Sequence, residues 1–181
     1  MPVRFRKIEQ GDLELIRGWR NQDRIRKNSR DHRLLNMEDQ LKWFQNISIS
    51  KSDDMFLILE NDDPVGVCGL ARINWQDRSA EITCYLGRQK NAAVDVAVGL
   101  EAYIFLKRKG FEEYHLNRLH GEVFIFNEGG IKLAYYCGFK KEGTKRQSVF
   151  WDGKYWDSIM VSMLAEEYKT DAFQAIDNNP S

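Results

Sequence analysis

The stretch EVFIFNEGGIKLAYYCGFKKEG, Glu122–Gly143, decides how this chain is read. Val123 and Ile125 alternate as in a strand, and the alternation stops at Asn127-Glu128-Gly129-Gly130, a turn-forming cluster. The amphipathic piece that follows, 128 to 136, is too short to be a stable helix alone. Cys137-Gly138-Phe139 then restarts a strand. So abrupt a strand-to-helix junction must draw its stability from the elements around it.

Those elements follow in both directions. Ala80, Ile82, Cys84 and Leu86 alternate along a strand at 79–86, a helix is predicted from about Asp95 to Lys109 with Gly110 as its stop, and RLHGEVF is again a strand. Strand, crossover helix and strand in succession predict a parallel pair of 118–125 with 79–86. Upstream, MFLILENDDPVGVCGLARI gives two strands around an Asn-Asp-Asp-Pro turn, which completes a three-strand meander. The front holds a strand at 3–7 and a helix opened by Asp12 with Leu15 and Trp19 four apart. A second front helix is capped by Asn36 with Asp39 three residues on. Met37, Leu41 and Phe44 share one face of that second helix, and Trp43 lies on the other. After the junction, strands from Phe139 and from Asp157 are joined through Asp152-Gly153, a strong hairpin signal. The sum is an α/β fold with a mixed, mostly antiparallel sheet flanked by helices. Residues 1–168 are read as a single domain and 169–181 as a loose tail.

Composition bounds the function. The 27 basic residues equal the 27 acidic ones, so no global field draws the protein to nucleic acid or an anionic membrane. Cys68, Cys84 and Cys137 are odd in number and sit within apolar runs, which suits reduced buried thiols and a cytoplasmic home. No apolar leader opens MPVRFRK, and the apolar stretch near VDVAVGLEAYIFL is broken by Asp95 and Glu101. His32, His115 and His120 lack metal-ligand spacing and receive no role.

In this order, LNRLHGEVFIFNEGGIKLAYYCGF with the meander and crossover helix resembles the second half of a GNAT-type acyl-CoA N-acyltransferase. WRNQDRIRKNS and LKWF resemble the substrate-side helices of the subgroup that acetylates UDP-linked 4-amino-4,6-dideoxy sugars in nonulosonic (pseudaminic-type) acid synthesis. FWDGKYWDSIMVSML is similar to that subgroup's closing hairpin. The resemblance implies a GNAT-like sheet splayed at its central parallel pair, with the pantetheine arm in the slot. It implies acetyl-CoA as acyl donor, no metal, and a UDP-amino-sugar as acceptor, and it leaves room for a homodimer. Two rivals stay open: a protein N-terminal acetyltransferase of the ribosomal-protein type, and a catalytically silent acyl-CoA-binding or interaction module.

Site residues follow from the resemblance. Acetyl transfer to an amine needs a base, an oxyanion site and an acid for the leaving thiolate. Glu81, on the strand face opposite Ala80, Ile82 and Cys84, is the base candidate, or else part of an ordinary polar face. Glu122 is the competing carboxylate, or a partnered structural charge. The family's acidic Tyr falls on Ala134, so Tyr135 becomes the acid candidate, although Tyr135 and Tyr136 also suit packing. Asn127 either faces the slot as a polar partner of the donor or caps the short helix.

The family's pyrophosphate loop reads Gln or Arg, two residues, Gly, one residue, then Gly or Ala. Aligned on Gly99, RQKNAAVDVAVG offers Val94, Ala97 and Gly99, with Asp95, Val96 and Val98 between them and Leu86 and Arg88 at the entry. The segment reads about three residues longer than usual, and Arg88 or Lys90 is expected to add attraction. In the front section, Arg20, Arg24, Arg26, Lys27, Arg30 and Arg33 form a local basic cluster. With Trp19, Asn21 and Trp43 it is expected to hold a sugar nucleotide, the alternative being a solvated surface over core tryptophans.

Overall fold

A computed structural model describes residues 2–89 and 91–169; Lys90 and the expected tail beyond Lys169 lie outside the described residues. Its strands hydrogen-bond in the order β1-β2-β3-β4-β5-β7-β6. They are β1 (Val3–Lys7), β2 (Asp54–Glu60), β3 (Asp63–Asn74), β4 (Ser79–Leu86), β5 (Arg118–Phe124), β6 (Lys140–Trp151) and β7 (Lys154–Leu164). Packing divides the chain into two compact units, Met1–Ala71 with Thr83–Ala102 and Arg72–Ile82 with Tyr103–Ser181. β3 and β4 run through both.

In the first unit β1 pairs antiparallel with β2, and β2 with β3. Asn61 and Asp62, at φ 51° and 69°, make the tight turn between β2 and β3; both residue types tolerate that left-handed region. The helices here are α1 (Leu13–Arg20), α2 (Asp23–Arg26), α3 (Met37–Ile49) and the start of α4 (Ala92–Arg108). Asp12 ends a 3-10 turn, Gln10–Asp12, and stands at the N-cap of α1 as expected, but its side chain makes no cap bond there; its carboxylate instead accepts from both Arg6 guanidinium nitrogens at 2.7 and 2.8 Å. The pairing expected of Leu15 with Trp19 gives way to a stripe of Leu13, Ile16 and Trp19, while Leu15 points outward. α3 begins as read, with Asn36 and Asp39 bonding each other's backbone N–H at 2.8 and 3.1 Å. Trp43 departs from its expected outer face. Together with Leu41, Phe44 and Ile47 it packs on the core of Ile8, Leu13, Ile16, Trp19, Leu57 and Val67, because an indole covers more apolar area there than Met37, which stays exposed.

In the second unit β4 and β5 run parallel as expected, in the register Ser79↔Arg118, Ala80↔Leu119, Glu81↔His120. β7 inserts between β5 and β6, antiparallel to both. Asp152 (φ 53°) and Gly153 (φ 74°) form the hairpin turn, and β7 begins at Lys154, earlier than Asp157. Gly110 does not stop α4. The backbone continues in a π-helical turn, Lys109–Glu113, and a Cβ on Gly110 would lie 2.8 Å from Leu119 Cδ2. That glycine serves close helix-to-strand packing instead of a cap. α5 (Glu128–Tyr136) occupies the expected span, and α6 (Ala165–Tyr168), unread in the sequence, closes the chain's described part. Leu119, Ala134, Phe139, Val161 and Met163 are buried in this unit's core. Cys68 and Cys137 are buried and Cys84 is half-buried.

Candidate active site

Glu81 is the sixth-last residue of β4 and stands level with His120 on β5. Its carboxylate accepts a hydrogen bond from the Arg72 guanidinium. Arg72 itself sits on β3 at φ 51°, a conformation that costs a side-chain-bearing residue about 1–3 kcal/mol. Arg72 was not among the residues singled out from sequence, because its partner Glu81 lies on the next strand.

Alternation extends this polar face across the second unit. On β5, Arg118, His120 and Glu122 recur at every second position, Ser158 and Ser162 lie four apart on β7, and period-two geometry puts each set on one face. Arg118 forks onto Glu142 of β6, with both bonds at 2.5 Å. That guanidinium first, and Ser162 second, pull the Glu142 carboxyl down to about 2. Burial, and then the Arg118 charge, push the His120 imidazole below its ordinary value against the opposing pull of Glu81 and Glu142, so the ring is neutral at neutral pH. Glu122 accepts from the Ser158 hydroxyl and from Lys145 Nζ at 3.1 Å, which makes it a partnered charge. Two proton acceptors, Glu81 and neutral His120, thus stand level on adjacent strands.

The junction at Asn127 has its own logic. The Asn127 side-chain oxygen accepts from the Gly130 N–H at 3.1 Å and caps α5. A Cβ on Gly130 would fall 2.6 Å from Asn127 Nδ2, so the cap requires glycine there. On α5, Ala134 is fully buried while Tyr135 and Tyr136 are exposed. The position where the family's Tyr is expected therefore points into the core, and the helix turn carries Tyr135 to a different face.

In the first unit, the segment expected as an anion loop is shorter than its reading. α4 begins at Ala92, so Val94, Asp95, Val96, Ala97, Val98 and Gly99 lie within its first turns, and Val98 and Gly99 are buried. Asn91 caps the helix: its side-chain oxygen accepts from Val94 N–H at 3.0 Å, and its carbonyl from Asp95 N–H at 2.9 Å. Among the described residues between β4 and α4, residues 87–89 and Asn91 lie outside both elements. Arg88 reaches back to Glu60 at 3.1 Å and Asp63 at 3.4 Å. Lys90, the other expected cation, lies outside the described residues.

The front residues expected to hold a sugar nucleotide are bonded within the chain. Trp19 is buried, and Trp43 is packed on the same core. Asn21 clasps Leu35, donating to its carbonyl at 2.9 Å and accepting its N–H at 2.8 Å. Arg20 donates to the Ser29 hydroxyl. Arg24 donates to the carbonyls of Leu86 and Gly87, Arg26 to the His32 carbonyl and Asp23, and Arg33 to Asp31. Sequence spacing exposed the cluster of charge but not these local acceptors. Among the described residues, no group of three or more His, Cys, Asp or Glu side chains could hold a metal ion. Among the described residues, no helix is long and apolar enough to cross a membrane.

Residues 5–160 match the family model described as acetyltransferase (GNAT) domain. The uncharacterized N-acetyltransferase p20 of Bacillus licheniformis is 31% identical over 135 residues, 72% of this chain and 72% of that protein. The SPbeta prophage-derived uncharacterized N-acetyltransferase YokL of Bacillus subtilis (strain 168) is 33% identical over 69 residues, 38% of this chain and 39% of that one. Among solved structures, spermidine N-acetyltransferase from Vibrio cholerae in complex with CoA and spermine superposes with a TM-score of 0.80 at 21% identity, covering 92% of this chain and 98% of that one. The dodecameric structure of spermidine N-acetyltransferase from Vibrio cholerae in an intermediate state gives 0.75 at 20% identity, covering 92% and 95%. At such identities the likeness is one of fold.

Proposed function

The chain belongs to the acetyltransferase (GNAT) family and is an acetyl-CoA-dependent N-acetyltransferase, and from that premise we propose how it handles donor and acceptor. The donor's pyrophosphate is held by the backbone after Leu86 and the N-terminus of α4, where the helix dipole favours an anion. The acceptor is a small primary amine met by the polar face around Glu81. Glu81 takes one proton from the ammonium, and the freed amine nitrogen attacks the thioester carbon. As the tetrahedral intermediate collapses with cleavage of the C–S bond, the nitrogen gives up its second proton to water or to the Tyr135 phenolate left by protonating the thiolate. The CoA thiolate takes its proton from water or from Tyr135.

One observation carries the choice of acceptor. Glu81 and Glu122 have partners that can swing away, since the side chains of Arg72 and Lys145 are 74% and 51% exposed. An incoming ammonium can replace either at little cost, because the displaced cation returns to water. Arg24 and Asn21 differ: releasing either leaves backbone groups of this chain without their bond. A cationic amine, of the polyamine kind that the spermidine acetyltransferases of this fold are named for, is therefore favoured over the UDP-linked amino sugar. The sugar reading keeps the support of the front segments' resemblance.

The test is acetyl transfer from labelled acetyl-CoA to a panel holding spermidine, simple diamines, UDP-amino-dideoxy sugars and N-terminal peptides. Turnover greatest with the aliphatic polyamines is the expected result. Turnover confined to the UDP-sugars or to peptides overturns the acceptor assignment.

A further inference from the structure

Arg24, one of the cluster expected to meet substrate phosphate, has its guanidinium bonded within the chain. Its Nη1 donates to the Leu86 carbonyl at 2.8 Å and its Nη2 to the Gly87 carbonyl at 2.5 Å. The N–H groups of those same two peptide units, on Gly87 and Arg88, both donate to the Val65 carbonyl, at 2.8 and 3.2 Å. Two successive peptide planes at the end of β4 are thus held at both edges, oxygen by Arg24 and nitrogen by Val65. Trp19 closes a third side, since a Cβ on Gly87 would fall 1.9 Å from its ring. The Asp95 carboxylate, in the first turn of α4, is close enough for its charge to act on Arg24. One guanidinium therefore acts on both ends of the segment that joins β4 to α4.

We infer that Arg24 is a positioning residue for the acyl donor: by fixing the Leu86 and Gly87 carbonyls it aims the backbone of the β4–α4 segment at the CoA pyrophosphate. The inference rests on the reading that this segment holds the donor. A planar fork matches two successive carbonyls, whereas an ammonium offers no such geometry, so Lys replaces Arg here only in part. Misaimed amides weaken an anion site even when every donor is still present.

The experiment compares acetyl-CoA affinity by calorimetry, and KM for the amine, in the unaltered protein, Arg24→Ala, Arg24→Lys and Ala93→Asp. Ala93 is exposed in the first turn of α4, where a carboxylate favours the helix but repels pyrophosphate. Arg24→Ala is expected to weaken acetyl-CoA binding roughly tenfold, with Arg24→Lys intermediate and the KM for the amine nearly unchanged. A rise confined to the amine KM makes Arg24 an acceptor contact and overturns the inference. Weaker binding in Ala93→Asp with none in Arg24→Ala and Arg24→Lys also overturns it. Unchanged binding in Ala93→Asp rejects instead the reading of the segment as the donor site. Should Arg24→Ala fail to fold, Arg24→Lys carries the comparison.

Discussion

The indole of Trp19 lies against the backbone of Gly87 so closely that a Cβ built there would meet Cδ2 at 1.9 Å. Trp19 is itself buried in the core of the first unit, so the ring has nowhere to retreat. Gly87→Ala is expected to destabilise the protein by about 1–3 kcal/mol through overpacking. Chemical denaturation measures it. A double-mutant cycle with Trp19→Leu should recover part of the loss, and full additivity would refute the contact as its cause.

The fork of Arg118 on Glu142 makes stability depend on pH. With the Glu142 carboxyl held at about 2 against an ordinary 4.5, its contribution is complete above pH 4.5 and is lost as pH falls through about 2. Glu142→Gln should flatten that window in acid-unfolding curves. Because 39% of the Glu142 side chain is exposed, the effect is screened and should shrink further in molar salt.

Glu81→Gln tests the base. Loss of a general base lowers kcat by about 10²–10⁴, while acetyl-CoA affinity should hold, since Glu81 acts on the amine. If the variant instead turns over normally across pH, neutral His120, level with Glu81 on β5, is the next group to replace.

Asn127 and Gly130 act as one device. Asn127→Ala is expected to cost about 1 kcal/mol through the lost cap. Gly130→Ala should cost a similar amount on its own but far less in the Asn127→Ala background, where its Cβ no longer meets the amide. Thermal melts of the four proteins decide this, and equal cost in both backgrounds would rule the clash out.

Much of the fold was legible because local chemistry and tertiary structure agreed. The Asn36–Asp39 cap, the Asn61-Asp62 and Asp152-Gly153 turns and the abrupt end at Asn127 are decided by side chains acting on backbone within a few residues. The parallel pairing of β4 with β5 followed from crossover handedness. Where reading failed, a short-range pattern admitted two answers. Leu15 and Leu13 are both apolar on one short helix, and only the cluster around Ile8, Leu57 and Val67 selects Leu13. Gly110 suits a cap by its sequence and a close approach by its surroundings, and Leu119 settles it.

By itself, then, the sequence determined the order of the strands and of the longer helices, the turns named above, and the family to which the segments belong. The insertion of β7 between β5 and β6, the meeting of Arg72 with Glu81, and the hold of Arg24 on the carbonyls of Leu86 and Gly87 were decided only by tertiary structure. The physical reason is range. Capping and turn formation are settled within about four residues of chain, where propensity is readable. A guanidinium's partner 62 residues away depends on which carbonyls the folded sheet leaves within its reach, and no local pattern records that.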